Sequence, residues 1–180
     1  LALHKVTRDT QAFIGQDVDD PSLLGGGALT AGGEVTLNAS SKGVFGAFAV
    51  AGAGASQKTF TDDDKTATAA AVGFGHNTVN EQVFAYVNNA TLSAAGDISL
   101  TATFAPVIEA FSIGGAYASG KENSIALAGA GATNTVDVEV ATFIANSGGL
   151  RSVRSTGGEI TLNATDASGV FAQSGAVSIA

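Results

Sequence analysis

The chain lacks several residue types that would support common functional classes. It has no cysteine, methionine or tryptophan, and only two of its 180 residues are proline. Without cysteine there is no disulfide framework, no thiol nucleophile and no cysteine-ligated zinc. Charge is also scarce: charged residues make up 13% of the chain, and acidic residues outnumber basic ones by 16 to 8. The resulting net charge of −8 argues against nucleic-acid binding, which needs a basic face to neutralise phosphates.

Long apolar runs and clustered histidines are missing as well. No run reaches the roughly 18 apolar residues of a membrane helix, so we expect no membrane insertion. His4 and His76 are the only histidines and have no partner at metal-ligand spacing, which predicts loop histidines without a catalytic or metal role. The chain opens at Leu1 and stops within an apolar run at Ala180, which we interpret as a segment of a longer chain.

What the chain has instead is small residues arranged in repeats. Glycine and alanine account for 24 and 34 residues, about a third of the chain. Matching segments begin at Gly33, Gly96 and Gly158, at offsets of 63 and 62 residues. A second signature, Asn-Thr-Val, recurs at 77–79 and 134–136, with a degenerate earlier copy at 4–6. These matches predict one solenoid segment over 1–180, with a partial repeat at 1–32, full repeats at 33–95 and 96–157, and a partial repeat at 158–180.

Within each repeat the hydrophobic period is that of a β-strand. Val35, Leu37 and Ala39 alternate with polar residues, and the other two copies of the segment alternate in the same way. Short strands, recurring glycine turns and scarce proline favour an all-β parallel β-helix over a sandwich, whose sequence would not need to repeat. A coil, or rung, of about 20 residues would give about three rungs per repeat. Small side chains would let the walls of a narrow solenoid approach each other closely.

The unit GDISLTAT … ENSIALAGAGATNTVDVEVATFIANS resembles repeats of large secreted bacterial proteins, namely filamentous-haemagglutinin-like and leukotoxin-like adhesins of the autotransporter-passenger type. The resemblance implies a right-handed parallel β-helix at the bacterial cell surface or in an extracellular biofilm-matrix fibre, where it acts in adhesion or as a spacer. It implies no catalytic residues. The partners it suggests are adjacent rungs of the parent chain, further copies in a fibre, and a cell-surface or polysaccharide ligand.

The main alternative function is a carbohydrate-active β-helix, either a polysaccharide lyase or a glycosidase. Such enzymes need carboxylates that converge on one wall. Glu34, Asp97 and Glu159 occupy equivalent repeat positions; three rungs apart they would be separated by about 14 Å, beyond the roughly 5–10 Å of paired glycosidase carboxylates. We therefore expect turn residues there and a chain that is not an enzyme. Tyr86, Glu109, Asp137 and Glu139 are the residues whose convergence would favour catalysis.

Two acidic clusters lie in apparent insertions. Asp62, Asp63 and Asp64 are weak calcium candidates, because calcium prefers several oxygen ligands from a flexible loop. Asp17, Asp19 and Asp20 form the second cluster. Neither fits an EF-hand pattern, so solvated loops are expected and no other cofactor is predicted.

One aromatic residue recurs in each repeat. Aligning the Asn-Thr-Val segments places Phe13, Tyr86 and Phe143 at one position. If Val83, Ala85 and Val87 face inward, these rings face outward and form a lateral interaction stripe along the fibre. The competing interpretation is reversed orientation, or cover by a neighbouring loop.

Overall fold

A computed structural model describes residues 1–20, 22, 26–56, 66–120, 123–146 and 151–180. Regular structure in these ranges consists of β-strands, and no helix occurs in them. Residues 66–71, although rich in alanine, form the start of a long strand.

The strands form three parallel sheets, and the chain visits each sheet in turn. Sheet 1 contains β1 (Ala2–Gly15), β4 (Thr66–Asn88) and β7 (Asn123–Ala145). Sheet 2 contains β3 (Val35–Ser56), β6 (Ile98–Ser119), β9 (Ile160–Asp166) and β10 (Gly169–Ile179), the last two both pairing with β6. Sheet 3 contains β2 (Ala28–Ala31), β5 (Thr91–Ala94) and β8 (Val153–Ser155). This all-β arrangement of stacked parallel strands is compatible with a β-solenoid.

One repeat makes one coil, so the expectation of three rungs per repeat is wrong. Val35 pairs directly with Ile98, 63 residues later, and Ile98 pairs with Ile160 after a further 62. The error lay in assuming short strands. The strands of sheets 1 and 2 are up to 23 residues long, so two long strands and one short strand use up a whole repeat.

The interior changes character along the long strands. Near sheet 3, branched and aromatic side chains fill the space between the three sheets. The main members of this thick half are Val79, Val83, Val87, Leu92, Ile98, Leu100, Phe104 and Ile108.

Towards the other end of the long strands only sheets 1 and 2 remain, and alanines replace the larger side chains. We call this part, residues 47–56, 66–75, 110–119, 123–132 and 172–180, the thin half. A Cβ added to Gly73 would lie 2.8 Å from the carbonyl oxygen of Ile113, and one added to Gly114 would lie 2.1 Å from that of Gly129. The backbones of the two sheets therefore nearly touch, and larger side chains than those of glycine and alanine would clash between them. The alanines that pack there include Ala67, Ala69, Ala71, Ala116 and Ala118.

Candidate functional site

The three repeated aromatic residues lie side by side on sheet 1. Phe13 pairs with Tyr86, and Tyr86 pairs with Phe143, as the sequence alignment predicts. Their rings stack nearly parallel, with centroids 5.1 Å apart for Phe13–Tyr86 and 4.8 Å apart for Tyr86–Phe143. In-register parallel strands thus turn one repeated residue into a continuous stack.

The centre of this stack is covered. Val83, Ala85 and Val87 belong to the interior cluster, so Tyr86 points to the outer face; yet it is 0% exposed, against 40% for Phe13. The turn after β1 lies over it, with the backbone N–H of Val18 donating to the Tyr86 hydroxyl at 3.2 Å. Cover by a neighbouring loop therefore applies at Tyr86, whereas Phe13 keeps an open surface.

The Tyr86 hydroxyl is held by several partners. It donates to the side-chain oxygen of Gln11 at 2.5 Å, and the Asp17 carboxylate lies 3.5 Å away. Burial raises the pKa of Tyr86; the hydrogen bond from Val18 opposes that rise, and the negative charges of Asp17 and Asp19 add to it. These contacts hold the acidic turn that contains Asp17 and Asp19 over the ring stack. The sequence pattern did not predict this role for the turn.

Next to the stack, the outer face of sheet 1 carries a polar groove of about 520 Å³. Two rows of paired residues line it. Partial burial raises the pKa of Asp9 in this groove, and the carboxylates of Asp19 and Asp17 raise it further, against a lowering hydrogen bond from Gln11. Carboxylates and amides suit the hydroxyl groups of a polar ligand. The rows are Thr7–Asn80–Asp137 and Asp9–Gln82–Glu139.

The four residues selected as possible catalytic groups do not share this groove. Asp137 and Glu139 line it, Tyr86 is buried beneath the neighbouring turn, and Glu109 projects from the opposite outer face, on sheet 2. Within the part of the chain that the structure describes, no group of three or more His, Asp or Glu residues is arranged to hold a metal ion.

The repeated acidic residues at the entrance to sheet 2 are closer together than expected. Because each repeat is one coil, Glu34, Asp97 and Glu159 immediately precede adjacent strands, about 4.8 Å apart along the stack and not 14 Å. All three are exposed. Asp97 accepts a hydrogen bond from the backbone N–H of Glu159 at 2.8 Å, so it connects one coil to the next.

The remaining candidates have these positions. Both histidines lie in strands, which corrects the expectation of loop positions: His4 is in β1, and His76 is in β4, where its ring bonds the hydroxyls of Thr133 (2.7 Å) and Thr78 (3.0 Å). The calcium candidates Asp62, Asp63 and Asp64 lie outside the described residues.

A row of interior amides joins sheet 1 to sheet 2. Asn77 is fully buried, and its amide nitrogen lies 2.5 Å from the carbonyl oxygen of Glu109 and 2.9 Å from the side-chain oxygen of Asn134. Asn134 in turn donates to the carbonyl of Phe171 at 2.6 Å. The repeated Asn-Thr-Val signature is thereby explained, because its asparagine reaches across the interior in successive coils.

A second interior polar group is a nearly isolated charge. The Glu81 side chain is 0% exposed, and neither of its carboxylate oxygens has a hydrogen-bond partner among the residues that the structure describes. Arg8, whose side chain is 43% exposed, forms an ion pair with this carboxylate at 3.9 Å. Arg8 also donates to Ser41 at 3.2 Å and lies over the ring of Phe45. The coil interior therefore holds a carboxylate that depends on one partly solvated arginine.

Replacing Arg8 is expected to lower the free energy of unfolding substantially only while the Glu81 carboxylate is present. Arg8→Met keeps an apolar stem on Phe45 but leaves Glu81 unpaired, so it should lower the free energy of unfolding by about 2 kcal/mol, less than for a fully buried pair. In a Glu81→Gln background the cost should fall below about 0.5 kcal/mol. A urea double-mutant cycle measures both values. Equal costs in the two backgrounds would show that Arg8 acts through packing alone.

The outer face of sheet 2 is an extended apolar surface that sequence reasoning missed. Its eight most exposed large apolar residues keep between 42% and 78% of their surface accessible. Glycine and alanine separate these residues in sequence, so the chain has no long run of large apolar residues that would predict the surface. Only in-register stacking of the coils brings them together. We call these residues, together with Val107 and Phe111, the apolar face: Val44, Phe48, Val50, Ile113, Tyr117, Phe171, Val177 and Ile179.

Comparison with known proteins returned no matching family model, no similar curated protein and no similar solved structure. Across the described ranges, no helix has the length and apolar character needed to cross a membrane. The class that the fold defines is thus an all-β repeat protein of stacked parallel strands. The resemblance to secreted adhesins remains a basis for proposal.

Proposed function

We propose that this chain is a non-catalytic structural or adhesive shaft of a large extracellular bacterial surface or matrix-fibre protein. The observation that supports this most is the coil-for-coil register: each full repeat adds one strand to every sheet. Length therefore increases with the number of repeats, while the cross-section stays the same. Such a chain provides reach and stiffness.

Several details of this proposal rest on general rules and on the resemblance to secreted adhesins. The coil is right-handed, because parallel strands of one sheet are joined by right-handed crossovers in about 98% of cases. The setting is the bacterial surface or extracellular matrix, and the shaft is extended by neighbouring coils or further copies. The polar groove on sheet 1 is where a cell-surface glycan or other polysaccharide would bind, because its carboxylates and amides can pair with hydroxyl groups.

Tandem duplication tests the shaft. Residue 33 occupies the same repeat position as residue 96, so copies of residues 33–95 can be inserted after residue 95 with each Ala-Gly junction equivalent to that of residues 95 and 96. Ten added copies should lengthen the particle by about 48 Å at constant width, since one strand spacing is about 4.8 Å. Small-angle scattering and electron microscopy measure both dimensions. Added copies that widen the particle, or that remain unfolded, would contradict the proposal.

A carbohydrate-active β-helix is the second candidate. The observation in its favour is the short separation of Asp97 and Glu159, which removes distance as an argument against paired carboxylates. Incubation with acidic and neutral polysaccharides, followed by assay of reducing ends and unsaturated products, tests it. Product that disappears in Asp97→Asn would establish this function in place of the shaft, whereas no product from any polysaccharide supports the shaft.

A further inference from the structure

We propose that the apolar face of sheet 2 is a pairing surface for a second copy of this chain. The inference rests on the proposed shaft function and names its lateral partner. It also moves the expected lateral contact away from the ring stack of sheet 1, whose central member, Tyr86, is covered.

The size of the surface is the first argument. Eight large side chains, each exposing on the order of 100 Å², give roughly 800 Å² of apolar area. The largest apolar patch on a typical monomer is about 300–600 Å². A stable dimer buries about 800 Å² on each partner. One outer face of this chain therefore supplies enough area for a complete interface.

The shape and position of the surface fit another sheet. Side chains of paired strands form rows along the stack, for example Phe48 beside Phe111 and Val50 beside Ile113. The rings of Phe48 and Phe111 are 6.3 Å apart, so the rows are nearly continuous. Two such faces can pack at about 10 Å, as in sheet-on-sheet interfaces. Each additional coil would lengthen the contact, so pairing would strengthen with shaft length.

Charge favours a second copy over other occupants. The thin half contains no charged residue among its described positions, although the chain carries a net charge of −8. Two copies can therefore meet there without bringing like charges together. An anionic membrane would be repelled by the acidic remainder of the chain. A glycan would leave its hydroxyl groups facing apolar side chains. Glu109 lies just outside the thin half and is the one charged side chain among the described residues in the rows of the apolar face, so the uncharged part of the contact is the thin half.

Introducing charge into the apolar face provides the test. Ile113→Lys/Tyr117→Lys places two cations in the proposed interface on the central strand β6. Ser99→Lys/Thr101→Lys is the matched control, since it adds the same charges to the outer side of the same strand, in its polar half. Sedimentation velocity of the full chain at micromolar concentration should show a dimer for the wild type and the control. The dimer dissociation constant of the interface variant should be at least about 100-fold higher than that of the wild type.

A second measurement does not depend on how the lysine variant folds. Because the chain has no cysteine, Val50→Cys introduces a unique thiol in the apolar face, and Ser99→Cys introduces one outside it. With a thiol-reactive cross-linker long enough to span the about 10 Å between packed sheets, Val50→Cys should form a covalent dimer, and Ser99→Cys should not.

Other outcomes would overturn the pairing proposal. These are a monomeric wild type, association that the interface lysines leave unchanged and that therefore runs through the ends, or a monomer that binds lipid vesicles through this face. The shaft is tested separately: if tandem copies still lengthen the particle while pairing fails, the shaft stands and only the lateral partner is removed.

Discussion

Leu100→Ala is expected to lower the free energy of unfolding by about 3–4 kcal/mol, whereas Leu162→Ala should lower it by less than about 1 kcal/mol. The two leucines occupy the same repeat position on adjacent strands. Leu100 is 0% exposed because a coil lies on each side of it, while Leu162 belongs to the outermost strand of the stack and is 42% exposed. The difference measures how much burial comes from neighbouring coils. Equilibrium urea unfolding of both variants supplies the values.

Leu37→Ala completes the series. Leu37 pairs with Leu100 from the other outermost coil and is half-buried, so its cost should fall between those of the other two variants. Equal costs at all three positions would mean that each repeat buries its own core, contrary to the stacked arrangement.

Asn77→Asp should destabilise the chain by about 3–5 kcal/mol at neutral pH, the cost of an uncompensated buried charge. The substitution keeps the shape of the side chain but removes the amide hydrogens that face the carbonyl oxygens of Glu109 and Phe45 and the side chain of Asn134. A carboxylate there would face three acceptors in a water-free interior.

The penalty of Asn77→Asp should also depend on pH. Burial would raise the folded-state pKa of the new carboxyl above its unfolded-state pKa. The loss in free energy of unfolding should therefore grow as the pH rises from the unfolded-state pKa to the folded-state pKa, and it should shrink towards pH 4. Asn134→Asp is the control: Asn134 is only half-buried, and its cost should stay near 1 kcal/mol. Chemical unfolding at pH 4 and pH 7 measures both effects. A pH-independent loss for Asn77→Asp would assign the defect to the lost amide hydrogen bonds and not to a buried charge.

The register could be predicted from the sequence because parallel in-register stacking places each repeat position beside its own copy. The 63-residue offset places Phe48 beside Phe111, and the recurring Asn-Thr-Val signature places Asn77 beside Asn134; both pairs are found. The stack of Phe13, Tyr86 and Phe143 follows from the same rule.

Coil length could not be predicted in the same way. The sequence pattern predicts a strand only where apolar and polar side chains alternate, as they do in residues 35–40. The strand continues to Ser56 through glycines and alanines, whose inner and outer positions look alike. Strand length there is set by the near-contact of the opposing sheet, which is a tertiary effect that local patterning does not contain.

The surfaces depended on tertiary contacts as well. The cover over Tyr86 comes from Val18 and Gln11, 68 and 75 residues away in sequence. The apolar face arises only when β3, β6 and β10 align. The predicted separation of Glu34, Asp97 and Glu159 is too large because it follows from the incorrect coil length.

Disulfide formation between adjacent coils tests the central claim, that one repeat is one coil, most directly. Asn38 and Thr101 pair across β3 and β6 on the outer face. With one coil per repeat their Cα atoms are about 4.8 Å apart, within the roughly 4.4–6.8 Å of a disulfide; with three rungs per repeat they would be about 14 Å apart. In this cysteine-free chain, Asn38→Cys/Thr101→Cys should form an intramolecular disulfide, and Asn38→Cys/Ala105→Cys, displaced about 13 Å along the strand, should not. Free thiols in the first pair, or equal oxidation of both pairs, would contradict the account.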